Sequence, residues 1–306
     1  MVGGRRCAVV FPGQGSQSFD MLAGYAAHRQ VADTLREASD IAGCDFIKMI
    51  DGRDDALHDT ANTQPVMLAT DVGVYRASGL TAAADVVVAM AGHSLGEYAA
   101  LVCGGSLEFG AAVKLVRRRG ELMQNAGGAM AAAVGIGGDI ADKLCAGFRE
   151  KNIMVWAANY NAPQQTVIAG ESEDLARAEE SFKNAGAKRF IRLQMSCASH
   201  CPLMKNAAAM MGEELDKLAI TMPSPPVIHN VSAAAAQNTG DILALLRRHL
   251  TEPVGWVGSV NKIADMDIGV IYECGPGKVL TQMNKRIAAD VEHLPLASSA
   301  DLAGLS

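Results

Sequence analysis

A chain of 306 residues, 49% hydrophobic and 20% charged, has the length for one large α/β domain with a smaller insert, and its composition argues for a globular protein throughout. Its formal charge of -6 argues against nonspecific binding to nucleic acid or membrane surfaces, although basic clusters at Arg117 to Arg119 and at Lys188 with Arg189 stay open as contacts for an acidic partner or as solvated helix ends. No apolar run reaches the roughly 20 residues of a membrane helix, and the N-terminus lacks a signal peptide's apolar core. Seven cysteines, an odd number without a CxxC pair, argue for a reducing compartment over a disulfide framework. A cytoplasmic protein is expected, or an organelle stroma or matrix protein whose transit peptide has been removed.

In chain order, the apolar run Cys7 to Phe11 halts at Pro12-Gly13-Gln14-Gly15, which predicts a first buried strand ending in a Gly-rich turn. Helical patterns follow at about Met21 to Gly43 and Gln64 to Ala77, and Val86 to Ala91 gives the clearest buried strand. Helices are then predicted from Leu95 to Cys103 and from Glu108 to Asn125, the second ending before Gly127-Gly128. From Ala129 to Leu193 the order changes to strand, helix, strand, strand, helix, strand, the ferredoxin-like βαββαβ arrangement. The expected fold is a large α/β-hydrolase-like domain with a parallel sheet (1–127 and 197–306) and an inserted ferredoxin-like domain (128–196). Beyond the insert come helices from about Pro202, near Asp241 to Leu250 and at Trp256 to Ala264, and strands at Val227-Ile228 and Ile268 to Tyr272. The tail Ala297 to Ser306 reads as a frayed terminus.

Gly92-His93-Ser94-Leu95-Gly96 is a GxSxG sequence directly after an apolar strand and before a helix, the context of a nucleophile elbow. Such a turn lifts the Ser94 hydroxyl clear of the sheet, and backbone N–H groups at the helix start, Leu95 among them, can stabilise an oxyanion. A serine that merely caps the helix is the simpler alternative, and the strand-to-helix context weighs against it. A serine nucleophile needs a base, and histidine titrates in the right range. His28, His58, His229 and His293 lie in segments without chemical neighbours, and the His93 ring is expected to point away from Ser94, which leaves His200 and His249 open. Cys197 and Cys201 flank His200 but lack the second ligand pair of a structural metal site. The glycines at 135–138 and 275–277 fit neither the dinucleotide nor the P-loop spacing and read as turns.

Together the motifs resemble one family. Phe11-Pro12-Gly13-Gln14-Gly15-Ser16-Gln17, Gln64-Pro65, Gly92-His93-Ser94-Leu95-Gly96-Glu97-Tyr98, Arg119-Gly120, Asn159-Tyr160-Asn161-Ala162-Pro163, Ser199-His200-Cys201 and Glu273-Cys274-Gly275-Pro276-Gly277-Lys278 are similar, in order, to the malonyl-CoA:acyl carrier protein transacylases. The resemblance implies Ser94 as nucleophile and His200 as its base, oriented by a backbone carbonyl at the position of His249 in place of a carboxylate. It implies backbone N–H groups of Gln14 and Leu95 as the oxyanion hole, and Gln64, Asn161 and His249 at the pocket. Arg119 matches the arginine that holds the malonyl carboxylate, a role for which a planar guanidinium is suited. Lys188 and Arg189 match basic positions expected to dock the acidic carrier protein. Malonyl-CoA and acyl carrier protein are the implied partners of a ping-pong transfer by a monomer, with no metal or cofactor and no nucleic-acid or membrane partner.

Two departures stand out. His249 occupies a position where the family commonly has Gln, which leaves a second histidine near the site, and Ala198-Ser199-His200 resembles the tripeptide of methylmalonyl-selective acyltransferases, whereas Leu95 fits malonyl enzymes. An α/β-hydrolase reading would instead recruit Asp267 or Asp290 with His293, and a non-catalytic carrier-binding scaffold is opposed by the intact Ser94, His200 and Arg119.

Overall fold

The computed structural model describes residues 5–83, 85–195 and 197–305; Met1, Ser196 and Ser306, where the expected boundaries and tail fall, lie outside them. Strand β1 (Cys7–Phe11) leads through helices α1 (Arg29–Ala42), α2 (Phe46–Asp51) and α3 (Thr60–Ala77) to strand β2 (Val87–Gly92), followed by α4 (Gly96–Cys103) and α5 (Phe109–Ala126). Next come β3 (Ala129–Val134), α6 (Gly138–Arg149), β4 (Val155–Ala162), β5 (Gln165–Gly170), α7 (Ser172–Asn184) and β6 (Arg189–Arg192). The chain closes through α8 (Lys205–Leu215), β7 (Val227–His229), β8 (Ala234–Ala235), α9 (Thr239–Arg248), α10 (Trp256–Ala264), β9 (Val270–Glu273), α11 (Val279–Asn284), β10 (Glu292–Pro295) and α12 (Ser299–Ala303).

The larger sheet has the order β10-β9-β1-β2-β7-β8, parallel except for the short β8. Its central strands are apolar on both faces because helices cover both. Val9, Phe11 and Met90 pack toward the side of α3, α4 and α5, while Ala8, Val10 and Ala89 meet Trp256, Val260 and Ile263 of α10. The smaller sheet is antiparallel with the order β4-β5-β3-β6, the ferredoxin-like order. One face carries its own core with Phe148, Leu175, Phe182 and Phe190, and the other turns Met130, Ala132 and Val167 toward Ala198 and Cys201. Beyond its own sheet, β4 pairs with Val254 in the segment between α9 and α10, where Val254 N–H donates to Ala158 O and Tyr160 N–H donates to Val254 O, both at 2.9 Å.

Three expectations need correction. Strand β4 runs to Ala162, beyond the apolar run Ile153 to Ala158 that marks it in the sequence, because its polar residues Asn159 to Asn161 pair through register shifts that period-2 reading does not anticipate. The tail is not frayed: Ser298 caps α12 by accepting from Asp301 N–H, and Leu302 and Leu305 are buried in the main core. The short elements α2 and β10 were not foreseen, since runs of four to six residues carry little periodic signal.

Helix α3 is buried along nearly its whole length and contains Asp71, whose two carboxyl oxygens have no hydrogen-bond partner among the described residues. Burial, then the nearby Glu273, raises its pKa well above the carboxylate range. The folded state therefore keeps a proton that the unfolded chain releases above about pH 4, so this group's contribution to stability declines as pH rises through that value. Asp71→Asn, which removes the ionisation, is expected to raise the melting temperature by a few degrees at pH 8 and by less at pH 5. A shift independent of pH in thermal melts would contradict a neutral buried carboxyl.

Candidate active site

The turn between β2 and α4 holds Ser94 at φ 50°, a left-handed conformation unfavourable for a residue with a side chain. Close packing dictates both flanking glycines. A Cβ on Gly92 would lie 1.9 Å from the carbonyl carbon of Gly96, and one on Gly96 would lie 2.1 Å from Phe11 O. The Ser94 N–H donates to Asn230 Oδ1 at 2.7 Å, whereas the N–H groups of Leu95 and Gln14 meet no acceptor among the described residues. The His93 ring turns away from the Ser94 hydroxyl, packing edge-on to Trp256, with Nε2 2.7 Å from Asn161 Oδ1.

Ser94 Oγ lies 2.7 Å from His200 Nε2, and His200 Nδ1 lies 2.7 Å from the His249 carbonyl. A carbonyl can only accept, so Nδ1 carries the proton and Nε2 is free to receive the serine's. That carbonyl is available because His249 caps the C-terminus of α9, where helix carbonyls lack intrahelical donors. His200, like Ser94, has positive φ, at 60°. Burial and then the Arg119 charge hold its imidazole down at about 3, so it stands neutral at pH 7. The His249 ring is fully buried with Nε2 3.3 Å from Asn230 Oδ1; the geometry thus brings His200, and not the His249 ring, to the serine.

Arg119 is 1% exposed, on the face of α5 shared with Leu115 and Met123, while Arg117 and Arg118 reach outward to Glu121. The expectation that this cluster could be a solvated face is corrected for Arg119 by helical periodicity. Its Nη2 donates to Ser94 Oγ at 3.2 Å, its Nη1 donates to Gln64 Oε1 at 2.9 Å, and the guanidinium lies over the Tyr98 ring. These partners are neutral. Burial lowers the Arg119 pKa, yet arginine stays protonated in proteins, so a buried cation without a carboxylate partner faces the serine.

The cavity above Ser94 has a volume of about 460 Å³. Gln14, His93, Arg119, Asn161 and His200 supply its polar wall, and Met130, Ala132 and Val167 of the smaller sheet supply its apolar roof. Gln64 and His249, expected at the pocket, stand behind this wall: Gln64 is covered by Arg119 and Met123, and His249 contributes through its carbonyl. Lys188 and the exposed Arg189 lie outside it at β6, where Lys188 shares a depression of about 400 Å³ with Arg286. Arg286 donates to Gln165, which lines the main cavity, so a further cation missed by sequence reading flanks the mouth. His229 was expected to lack chemical neighbours, but its Nδ1 is 2.8 Å from Glu97 Oε1. His293 sits on β10, separated from β2 by β9 and β1 and bonded to Ala288 O, far from the arrangement a hydrolase triad would need.

A parallel α/β sheet with a serine elbow, a neutral histidine at hydrogen-bond distance and unpaired N–H donors beside them defines an enzyme of serine acyl-group chemistry. Residues 8–304 match the acyl transferase domain model, and the chain belongs to that family of acyltransferases. It is 44% identical over 286 residues to a malonyl CoA-acyl carrier protein transacylase of Escherichia coli K12, covering 92% of each chain. Among solved structures it resembles an acyl carrier protein S-malonyltransferase from Vibrio cholerae, with TM-score 0.92 and 39% identity over 98% of this chain and 100% of the other. It also resembles a malonyl-transacylase in complex with its type II PKS acyl-carrier protein, with TM-score 0.94 and 39% identity over 98% of each chain.

The lowered His200 pKa has two consequences. Below about pH 6.5 the unfolded chain binds a proton that the folded site refuses, so acidification from there destabilises the fold. The acidic limb of acyl transfer is expected below about pH 5, whereas an unperturbed imidazole would place it near 6.5. Initial rates measured across pH 4 to 8 decide, and a limb between 6 and 7 contradicts a neutral, desolvated His200.

Proposed function

We propose that the protein transfers the malonyl group of malonyl-CoA to the pantetheine thiol of an acyl carrier protein through a malonyl-Ser94 intermediate, supplying extender units for fatty acid synthesis. The observation that carries this reading is Arg119, a buried cation whose Nη2 is 3.2 Å from the Ser94 hydroxyl. A guanidinium so close to the nucleophile suits an acyl group with a carboxylate one methylene from the thioester carbonyl, and two parallel hydrogen bonds can hold it. Gln64 fixes the other arm of the guanidinium.

In this mechanism His200 Nε2 takes the Ser94 proton as Oγ attacks the thioester carbonyl, and the N–H groups of Leu95 and Gln14 receive the oxyanion. Collapse breaks the carbon–sulfur bond, and the imidazolium returns its proton to the departing coenzyme A sulfur. The carrier's thiol then gives its proton to His200, attacks the malonyl ester and releases Ser94, which regains the proton. Asn161 would keep His93 turned from the path. Malonyl is taken over methylmalonyl on Leu95, which fits the malonyl enzymes, while Ser199, buried with Oγ 3.1 Å from Met130 Sδ, lines the cavity.

Lys188 and Arg189 are assigned to carrier docking because both are exposed cations and Lys188 shares its depression with Arg286, which donates to Gln165 of the cavity lining. The reading divides the chain into a catalytic domain, 1–127 with 197–306, and an insert, 128–196, supported by the insert's separate core. It takes the protein as a cytoplasmic monomer; its seven cysteines are free, and no helix among the described residues is long and apolar enough to cross a membrane.

Intact-mass analysis after incubation with malonyl-CoA, acetyl-CoA and methylmalonyl-CoA tests the chemistry. A malonyl adduct is expected on the wild type and none on Ser94→Ala. Arg119→Ala should lose the preference for malonyl over acetyl by about 100-fold or more, the scale of a buried charge-assisted contact; retained selectivity removes the proposed clamp. Charge reversal at both Lys188 and Arg189 is expected to raise the KM for carrier protein while malonyl loading is unchanged, and unaltered carrier kinetics would dismiss the docking assignment.

A further inference from the structure

We infer that Asn230 is a positioning residue that holds the nucleophile turn in its reactive conformation, and that the buried Glu97–His229 pair in turn sets Asn230. The inference deepens the Ser94 mechanism above and rests on it. Asn230 follows β7 and is fully buried. Its carboxamide bridges the elbow: Nδ2 donates to Gly92 O at 2.6 Å, and Oδ1 accepts the Ser94 N–H at 2.7 Å. The orientation is determined, because a flipped amide would set oxygen against oxygen and donor against donor.

Backbone contacts fix the residue itself. Its N–H donates to Glu97 Oε2 at 2.8 Å, its carbonyl accepts from Gly255 N–H at 2.9 Å, and the second Glu97 oxygen is 2.8 Å from His229 Nδ1. Glu97 lies in the first turn of α4, three residues after the nucleophile, so the helix that starts at the elbow carries its own anchor. Asn230 Oδ1 is also 3.3 Å from His249 Nε2, and His249 O is the acceptor that orients His200. One carboxamide therefore touches both the turn that presents the nucleophile and the residue that aims the base.

The consequence is chemical. Ser94 at φ 50° is held in a conformation that its side chain disfavours, and the carboxamide bridge opposes its relaxation. The bridge also occupies the Ser94 N–H, leaving the oxyanion to the neighbouring Leu95 and Gln14 donors. Without it Oγ would drift from His200 Nε2, and a displacement of about 1 Å at a reacting atom can slow a reaction about 100-fold. Malonyl binding through Arg119 would be left nearly intact.

The test compares Asn230→Ala and Asn230→Asp with the wild type in the full chain, measuring the acylation rate at saturating malonyl-CoA, the KM for malonyl-CoA and the melting temperature. Asn230→Asp puts an oxygen against Gly92 O. Both variants are expected to acylate about 100-fold more slowly with KM changed by less than about two-fold, a split that general loosening of the fold would not give. Labelling of Ser94 by a fluorophosphonate probe, which needs no malonyl group, should slow in parallel. Glu97→Gln should remain near wild type, because its oxygen still accepts the Asn230 N–H and its amide can donate to His229 Nδ1 once that proton moves to the unpartnered Nε2. Glu97→Ala should be slow, and it replaces the Asn230 variants if they do not fold. Folded variants that acylate at the wild-type rate, or whose loss lies wholly in KM, overturn the inference. A wild type that labels with the probe but forms no malonyl adduct overturns the malonyl reading instead, and probe labelling then still decides the role of Asn230.

Discussion

The hydrogen bond from His200 Nδ1–H to the His249 carbonyl fixes the tautomer and the direction of the imidazole on which the rest of the site depends. With a neutral carbonyl as partner, His200 has no carboxylate to stabilise an imidazolium, and the Arg119 cation nearby opposes charging further. His200 therefore stays neutral, with Nε2 open to the Ser94 hydroxyl. The arrangement depends on His249, the C-cap of α9, lying at His200, and that end of the helix is anchored a few residues on, where Val254 pairs with β4 of the smaller sheet.

Charge is distributed around this bond in a specific way. Arg119 is the one arginine among the largest fully buried side chains, and its hydrogen bonds run to a neutral amide and to the nucleophile itself. Glu97, the nearby buried carboxylate, is directed at His229 and the Asn230 backbone. Separated in this way, Arg119 keeps its guanidinium free of a carboxylate partner, which a direct Arg–Glu pair would have occupied.

The cavity is a junction between two separately built layers. The larger sheet brings the elbow to the carboxyl ends of β1 and β2, the usual location of function in a parallel α/β sheet. The smaller sheet roofs it with Met130, Ala132 and Val167 and contributes Asn161 from a strand that pairs with β5 on one side and Val254 on the other. Its polar stretch Asn159 to Asn161, a poor strand by composition, is a strand because both of its edges find partners.

Local pattern was enough for some features and not for others. The apolar strand ahead of Gly92-His93-Ser94-Leu95-Gly96 determined the elbow, because a buried strand halted by glycine and resumed as a helix has few other solutions; the βαββαβ order of the smaller sheet was likewise legible from its alternating runs. Resemblance, not periodicity, singled out Arg119 among three consecutive arginines and His200 over His249, whereas the helix phase and the 2.7 Å contact give each choice a physical basis. Nothing local marked Asn230, His229 or Arg286: their partners lie 138, 132 and 121 residues away in sequence. The sequence by itself determined the serine elbow and the two layers, since these follow from short-range periodicity and turn chemistry. Only tertiary structure decided the tautomer of the base, the unpaired buried cation and the clamp on the elbow, because each is a hydrogen bond between segments that meet only when the parallel sheet is assembled.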